Sequence, residues 1–134
     1  MKIYKENHCQ HEIAYHIVFC TKYRNAVLVD AVEIECKKIL AETCEEYGWK
    51  LEKMETMPDH VHLFIRADHM TAPVEITKTL KSISAVYLFT AFPKLKAKKF
   101  WGSGLWSKGC YYGTVGHVSE DTIKKYIENQ KSHE

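Results

Sequence analysis

Pro58-Asp59-His60-Val61-His62-Leu63-Phe64-Ile65 is the stretch that decides the fold. Side chains alternate along a β-strand, so the aliphatic residues at positions 61, 63 and 65 would point into a core while His60 and His62 share the opposite face. Two imidazoles on a rigid strand, beside an aspartate, are able to hold a divalent metal ion. The alternative is an ordinary pair of half-exposed polar residues, and the pattern alone does not separate the two.

Length and composition limit the class of protein. The chain has 134 residues, and we expect residues 1–134 to form a single domain. No apolar run reaches the roughly eighteen residues of a membrane-spanning helix, and the N-terminus lacks the apolar segment of a signal peptide, so we expect a cytoplasmic protein that does not engage membranes. Five cysteines, none spaced as C-x-x-C, disfavour a disulfide framework or zinc-thiolate site. The net charge of +2 leaves any nucleic-acid binding to local patches.

The hydrophobic periodicity predicts four strands and three helices. The strands are predicted over residues 11–23, 49–57, 60–66 and 105–115, and the helices over 30–48, 71–92 and 119–132. Pro58 and Asp59 form the turn of a hairpin, Asp30 with Glu33 resembles an N-cap with its capping-box partner, and 93–104 reads as a basic connector. This order is that of an α+β, ferredoxin-like (RRM-like) split βαβ antiparallel sheet, with a core at about 11–116 and the last helix appended.

A third histidine, His16, lies on the first predicted strand. It could approach the pair at positions 60 and 62. A single histidine on an apolar strand can equally be a core residue with a satisfied hydrogen bond. The sequence leaves both readings open.

The predicted last helix carries a second set of polar groups. Tyr126 and Gln130 are four residues apart and therefore lie on one helix face. They could simply pack a ring and cap the helix end. If this helix crosses the face of His60 and His62, Gln130 could be a third ligand of a Mg²⁺ or Mn²⁺ ion, and Tyr126 a nucleophile that forms a covalent phosphotyrosine. The lack of a Walker-type loop agrees with a reaction that uses no nucleotide cofactor.

Basic and aromatic residues are candidates for contacts with a nucleic acid. Phosphate contacts are expected from Lys22, Arg24, Lys78, Lys81, Lys94, Lys96, Lys98 and Lys99. Trp106, Tyr111 and Tyr112 could stack on unpaired bases, and at least one of these three is expected in the core instead.

Five motifs, in this order, make the chain resemble a known family. They are YHIVFCTKYR at 15–24, MPDHVHL at 57–63, LKSISA at 80–85, LWSKGCYY at 105–112 followed by TVG at 114–116, and YIENQ at 126–130. The set is similar to the small single-tyrosine transposases of bacterial and archaeal insertion sequences, which belong to the His-hydrophobic-His (HUH) nuclease superfamily.

The resemblance implies a transposase that cleaves and rejoins single-stranded DNA through a covalent 5′-phosphotyrosine. It implies that His60, His62 and Gln130 hold one divalent metal, Mg²⁺ or Mn²⁺, and that Tyr126 is the nucleophile. It further implies a homodimer with sheets joined edge to edge, and recognition of hairpins at the ends of the insertion sequence. Two other classes remain open: a module of this fold that binds single strands without cutting them, and a related replication or conjugation nuclease.

Overall fold

The computed structural model describes residues 12–100 and 104–116, and it confirms the predicted α+β antiparallel fold. The strands are β1 (Glu12–Cys20), β2 (Lys50–Met57), β3 (His60–Asp68) and β4 (Tyr111–Gly116). The helices are α1 (Asp30–Tyr47), α2 (Pro73–Ala91) and α3 (Pro93–Lys99). The predicted helix over 119–132, with Tyr126 and Gln130, lies outside the described residues.

The four strands form one sheet in the order β2-β3-β1-β4, in which every neighbouring pair is antiparallel. This is the order expected of a split βαβ fold. β2 and β3 are joined by the two-residue turn Pro58-Asp59, so that Met57 pairs directly with His60. β3 is therefore an interior strand, hydrogen-bonded on both sides, and its histidines sit on a rigid support.

One face of the sheet carries the apolar core. Val61, Leu63 and Ile65 are fully buried there, as predicted, opposite Phe19 and Ile17 of β1. The longer helices contribute Cys36, Ile39, Leu40, Cys44, Ile76, Leu80 and Leu88 to the same cluster. His60 and His62 alternate with the core residues, so they lie on the other face of the sheet.

The first predicted strand ends earlier than expected. β1 stops at Cys20, and residues 22–24 form a short 3₁₀ turn with positive φ at Tyr23 (61°) and Arg24 (52°). The turn redirects the chain towards Leu28, whose side chain is buried. The predicted strand over 11–23 is therefore too long at its C-terminal end.

Two other predictions are corrected between the second helix and the last strand. The connector predicted over 93–104 begins with a helix, α3, because Pro93 ends α2 and also suits the first turn of a new helix. The strand predicted from residue 105 begins only at Tyr111. Trp106 instead makes an isolated bridge to Thr21, and its indole Nε1 donates to Ser84 Oγ at 2.9 Å.

The capping box predicted for α1 does not form. The N-cap position is Val29, without a side-chain hydrogen bond, and Asp30 has a φ of 52°. The Glu33 carboxylate accepts a hydrogen bond from Thr56 Oγ1 of β2 instead. Glu33 therefore bonds to a residue of another element, Thr56, and not to the start of its own helix.

Within residues 12–100 and 104–116, no helix is both long and apolar enough to cross a membrane.

Candidate functional site

β3 places His60 and His62 on the floor of an open cleft. His60 is 8% exposed and His62 is 3% exposed, and their ring centroids are 4.9 Å apart. The cleft has a volume of about 540 Å³. It is lined by Val18, Cys20, Arg24, Met57, Pro58, Asp59, His60 and His62. A pair of imidazoles is thus held next to space that a substrate could enter.

The ring of His60 is oriented by the turn that precedes it. Its Nδ1 lies 2.7 Å from Asp59 Oδ1, while Arg24 Nε donates to the other carboxylate oxygen of Asp59 at 3.0 Å. Burial would raise the pKa of Asp59, but the hydrogen bonds from His60 and Arg24 outweigh it and lower that pKa. Asp59 is therefore an ionised acceptor for the Nδ1–H of His60, and this tautomer keeps a lone pair on Nε2.

The ring of His62 meets a third histidine. Its Nδ1 is 3.5 Å from Nε2 of His16, and the two rings are nearly parallel, with centroids 5.6 Å apart. His16 is 2% exposed, and burial together with the neighbouring His62 lowers the pKa of His16 to about 4. His16 is therefore a neutral imidazole near pH 7. It also lies next to the pair, which confirms one of the two interpretations that the sequence left open.

The turn itself is fixed by backbone hydrogen bonds from the segment that follows β1. The amide of Thr21 donates to the carbonyl of Asp59 at 2.9 Å, and the amide of Leu28 donates to the carbonyl of Pro58 at 2.9 Å. The Oγ1 of Thr21 donates to the carbonyl of Asn25 at 2.7 Å and also lies 3.3 Å from the carbonyl oxygen of Asp59. Residues 21–28 therefore hold the turn in place through backbone hydrogen bonds.

The donor set of this half-site fits a divalent metal. Both histidines have Nδ1 beside a partner within the chain, so Nε2 is the nitrogen of each ring that a metal could reach. In the part of the chain that the structure describes, no group of three or more His, Cys, Asp or Glu is placed to hold a metal. A complete site would therefore need further ligands, and the predicted one, Gln130, lies outside that part.

One of the predicted basic residues lines the cleft, and others lie near the turn that contains it. Arg24 lines the cleft, and Lys22 lies two residues away in the same 3₁₀ turn. A hydrogen bond from Asn25 Nδ2 to the carbonyl of Lys99 joins the end of α3 to this turn. The exposed lysines of α3 are Lys94, Lys96, Lys98 and Lys99. The described structure thus brings the Lys22–Arg24 turn and the end of α3 into one basic region.

Lys78 and Lys81 on α2 are placed differently. Lys78 is exposed beside Tyr47 and Trp49, on the helical side of the domain. The Nζ of Lys81 donates to the carbonyls of Ser107, Lys108 and Gly109, at 2.8, 3.4 and 3.1 Å. Burial lowers the pKa of Lys81. The geometry gives Lys81 a structural role in holding the segment before β4.

The three candidate aromatic residues divide between the core and the surface. Trp106 is buried, with its ring edge against Phe19. Tyr111 pairs with Val18 and so lies on the histidine face, where it is 56% exposed and meets the His16 ring edge at 5.9 Å. Tyr112 points to the opposite face of the same edge strand. Tyr111 is thus the aromatic residue that flanks the candidate metal site.

Sequence reasoning left two features of the site unassigned. Asp59 was noted only as a neighbour of His60, although its adjacency to a histidine in a tight turn was the available signal. The row formed by Tyr111, His16, His62 and His60 across three strands depends on strand register, which the sequence does not state.

Comparisons with known proteins give consistent matches. The profile of the family described as "Transposase IS200 like" matches residues 9–130. The ISDra2 transposase TnpA of Deinococcus radiodurans is 40% identical over 124 residues, which cover 92% of this chain and 88% of that protein. The transposase for insertion sequence element IS200 of Salmonella typhimurium is 28% identical over 127 residues, which cover 92% and 83%.

Two solved structures share the fold. A crystal structure of a candidate transposase from Deinococcus radiodurans R1 matches with a TM-score of 0.72 and 39% identity, over 89% of this chain and 91% of that one. A REP-associated tyrosine transposase bound to a REP hairpin matches with a TM-score of 0.60 and 12% identity, over 90% of this chain and 68% of that one. At that identity the second likeness concerns the fold alone.

Proposed function

The chain belongs to the IS200-like transposase family, and from that premise we propose that it cleaves and rejoins single-stranded DNA with Tyr126 as nucleophile and with a divalent metal held by His60, His62 and Gln130. The observation that carries the metal part is the pair of imidazoles at the floor of an open cleft, each with a partner within hydrogen-bonding distance of its Nδ1. The assignment of Tyr126 and Gln130 rests on the family motif YIENQ.

The proposed reaction is a phosphoryl transfer to tyrosine. Tyr126 Oη attacks the scissile phosphorus, a phosphorus–tyrosine bond forms, and the bond to the 3′ oxygen breaks. The phenol loses its proton to a base, and the departing 3′ oxygen takes one up as a 3′-hydroxyl. The products are a 5′-phosphotyrosine and a free 3′ end. Attack by another 3′-hydroxyl reverses the step and rejoins the DNA without a nucleotide cofactor.

A Mg²⁺ or Mn²⁺ ion, when bound, would polarise the phosphate oxygens and neutralise charge that develops on them. The task of the chain's own residues is to hold the ligand atoms in place. β3 fixes the spacing of His60 and His62, and Asp59 fixes the ring of His60. An assembled donor set of this kind reduces the ordering needed when the substrate arrives.

The DNA would enter along the basic region beside the cleft. Lys22, Arg24 and the lysines of α3 supply phosphate contacts, and Tyr111 supplies a stacking surface next to the histidines. Because a protein of the same fold was solved with a REP hairpin, we include hairpin DNA among the proposed partners. The proposal further includes a homodimer acting in the cytoplasm.

A covalent-adduct assay tests the proposal. The protein is incubated with hairpin-containing single-stranded DNA and Mn²⁺, and denaturing gels are examined for a protein–DNA adduct. Wild type should form the adduct, and Tyr126→Phe should not. Tyr87→Phe is a matched control, because Tyr87 is an exposed tyrosine on α2, and it should behave as wild type.

Two further measurements separate the alternatives. His60→Ala should lose cleavage and keep most of its hairpin binding, because the change removes a metal ligand and no proposed DNA contact. A protein that binds single strands but forms no adduct under any metal condition would be a binding module. Adduct formation by Tyr126→Phe would show that another residue is the nucleophile. A monomer in light scattering would remove the homodimer from the proposal.

A further inference from the structure

His62 has a neighbour that no metal-binding role yet explains. His16 lies on β1, 2% exposed, with its Nε2 3.5 Å from Nδ1 of His62. Tyr111 closes its other side with a ring contact at 5.9 Å. The phenol of Tyr111 lies over Gly113, where an added Cβ would come within 3.1 Å of the phenol oxygen. Strand register therefore holds His16 between Tyr111 and His62.

We propose that His16 is a positioning residue that fixes the tautomer of His62, as Asp59 does for His60. The inference rests on the proposed function, because it gives His62 the role of a metal ligand. His16 itself does not touch the metal. It acts through the hydrogen bond at Nδ1 of His62.

The proposed direction of that hydrogen bond follows from the metal role of His62. A neutral imidazole has one N–H donor and one acceptor nitrogen. If Nδ1 of His62 donates to Nε2 of His16, the lone pair of His62 stays on Nε2 and can bind a metal. The reverse arrangement would put a proton on Nε2 of His62 and block ligation. Without an acceptor near Nδ1, the ring of His62 can adopt either tautomer.

The two acceptors differ because their surroundings differ. Asp59 lies in a turn at the edge of the cleft, where its charge is balanced by Arg24. His16 is buried on the histidine face of the sheet, where an ionised carboxylate would be costly. A neutral imidazole provides the acceptor without a charge. In this arrangement His16 carries its own proton on the buried Nδ1.

The tautomer of His62 can be measured without any metal. Long-range ¹H–¹⁵N NMR spectra of the metal-free full chain report which ring nitrogen carries the proton. Wild type should show His62 protonated on Nδ1. His16→Gln keeps an acceptor oxygen near the position of Nε2 and should preserve that state, whereas His16→Phe keeps a ring without an acceptor and should shift His62 towards Nε2–H. An Nε2–H tautomer in wild type would overturn the proposal, whatever the folding of the variants.

Metal affinity provides the second readout. In Mn²⁺ titrations followed by electron paramagnetic resonance, His16→Phe should bind about 10- to 100-fold more weakly than wild type, and His16→Gln should recover most of the loss. Equal affinity in wild type and His16→Phe would overturn the role of His16 and leave the metal site standing. Mn²⁺ binding that survives His62→Ala would refute the metal role of His62 and, with it, the role assigned to His16.

Discussion

Replacing Asp59 with alanine should weaken divalent-metal binding while leaving the domain folded. Asp59 Oδ1 lies 2.7 Å from Nδ1 of His60, and Oδ2 accepts from Arg24 Nε at 3.0 Å. Alanine removes both acceptors. His60 would then be free to carry its proton on Nε2, and in that form Nε2 has no lone pair for a metal.

The two effects of Asp59→Ala differ in size, so they can be separated. Loss of the partner behind a metal-bound histidine lowers metal affinity by about 10- to 100-fold, or about 1.4–2.7 kcal/mol. The short contact to an ionised carboxylate favours the upper half of that range. Stability should change less, because the Arg24 side chain is 63% exposed and such ion pairs contribute about 0–1 kcal/mol.

The assay is a Mn²⁺ titration, with urea unfolding measured on the same samples. Glu52→Ala is the matched control, because Glu52 accepts from Arg66 Nε at 3.1 Å in the same hairpin and lies away from the cleft. It should leave Mn²⁺ affinity unchanged. Asp59→Asn should fall between wild type and alanine, since an amide offers one acceptor oxygen for His60. Wild-type affinity in Asp59→Ala, or an equal loss in Glu52→Ala, would refute the reasoning.

Three other outcomes are expected. In single-strand binding assays, Tyr111→Ala should lose about 1–3 kcal/mol of DNA-binding free energy if the ring stacks on a base. Tyr112→Ala, on the opposite face of the sheet, should lose little binding free energy. Lys81→Met should lower the urea midpoint of unfolding and leave the salt dependence of DNA binding unchanged. If the slope of log binding constant against log salt concentration falls by about one in this variant, Lys81 is a phosphate contact. Burial raises the pKa of the Cys36 and Cys44 thiols from 9.0 to about 12. The thiols of the unfolded chain therefore ionise at lower pH than those of the folded chain, so the stability that the two buried thiols contribute is complete below pH 9 and is lost as pH rises towards 12. The free energy of unfolding in urea, measured between about pH 8.5 and 10.5, should fall more steeply with pH in wild type than in a Cys36→Ala/Cys44→Ala variant.

The hairpin and its histidines could be predicted because local chemistry determines them. A two-residue turn pairs Met57 with His60, and strict alternation then assigns every side chain of β3 to a face. No distant residue is needed for that inference. The four-stranded fold follows from the same reasoning applied to longer segments.

The remaining features depend on partners that are distant along the chain. Glu33 is bonded to Thr56, 23 residues away, rather than capping its own helix. Trp106 reaches Ser84 and Thr21, which keeps it out of β4. The site shows the same division: His60 was predictable, whereas the contact of His62 with His16 requires the register between β1 and β3. Spacing along the sequence carries no information about such pairings.

If the proposed metal binds, the backbone hydrogen bonds from Thr21 and Leu28 to the turn link its binding to the folding equilibrium. An ion that binds only the folded half-site would stabilise the domain by about 2.7 kcal/mol at a concentration one hundred times its Kd. The order of the turn is established when the sheet forms, so little of the ion's binding free energy is consumed in arranging His60. In the proposed reaction, Thr21 and Leu28 would thereby help to determine how much of that free energy remains for holding a strand of DNA.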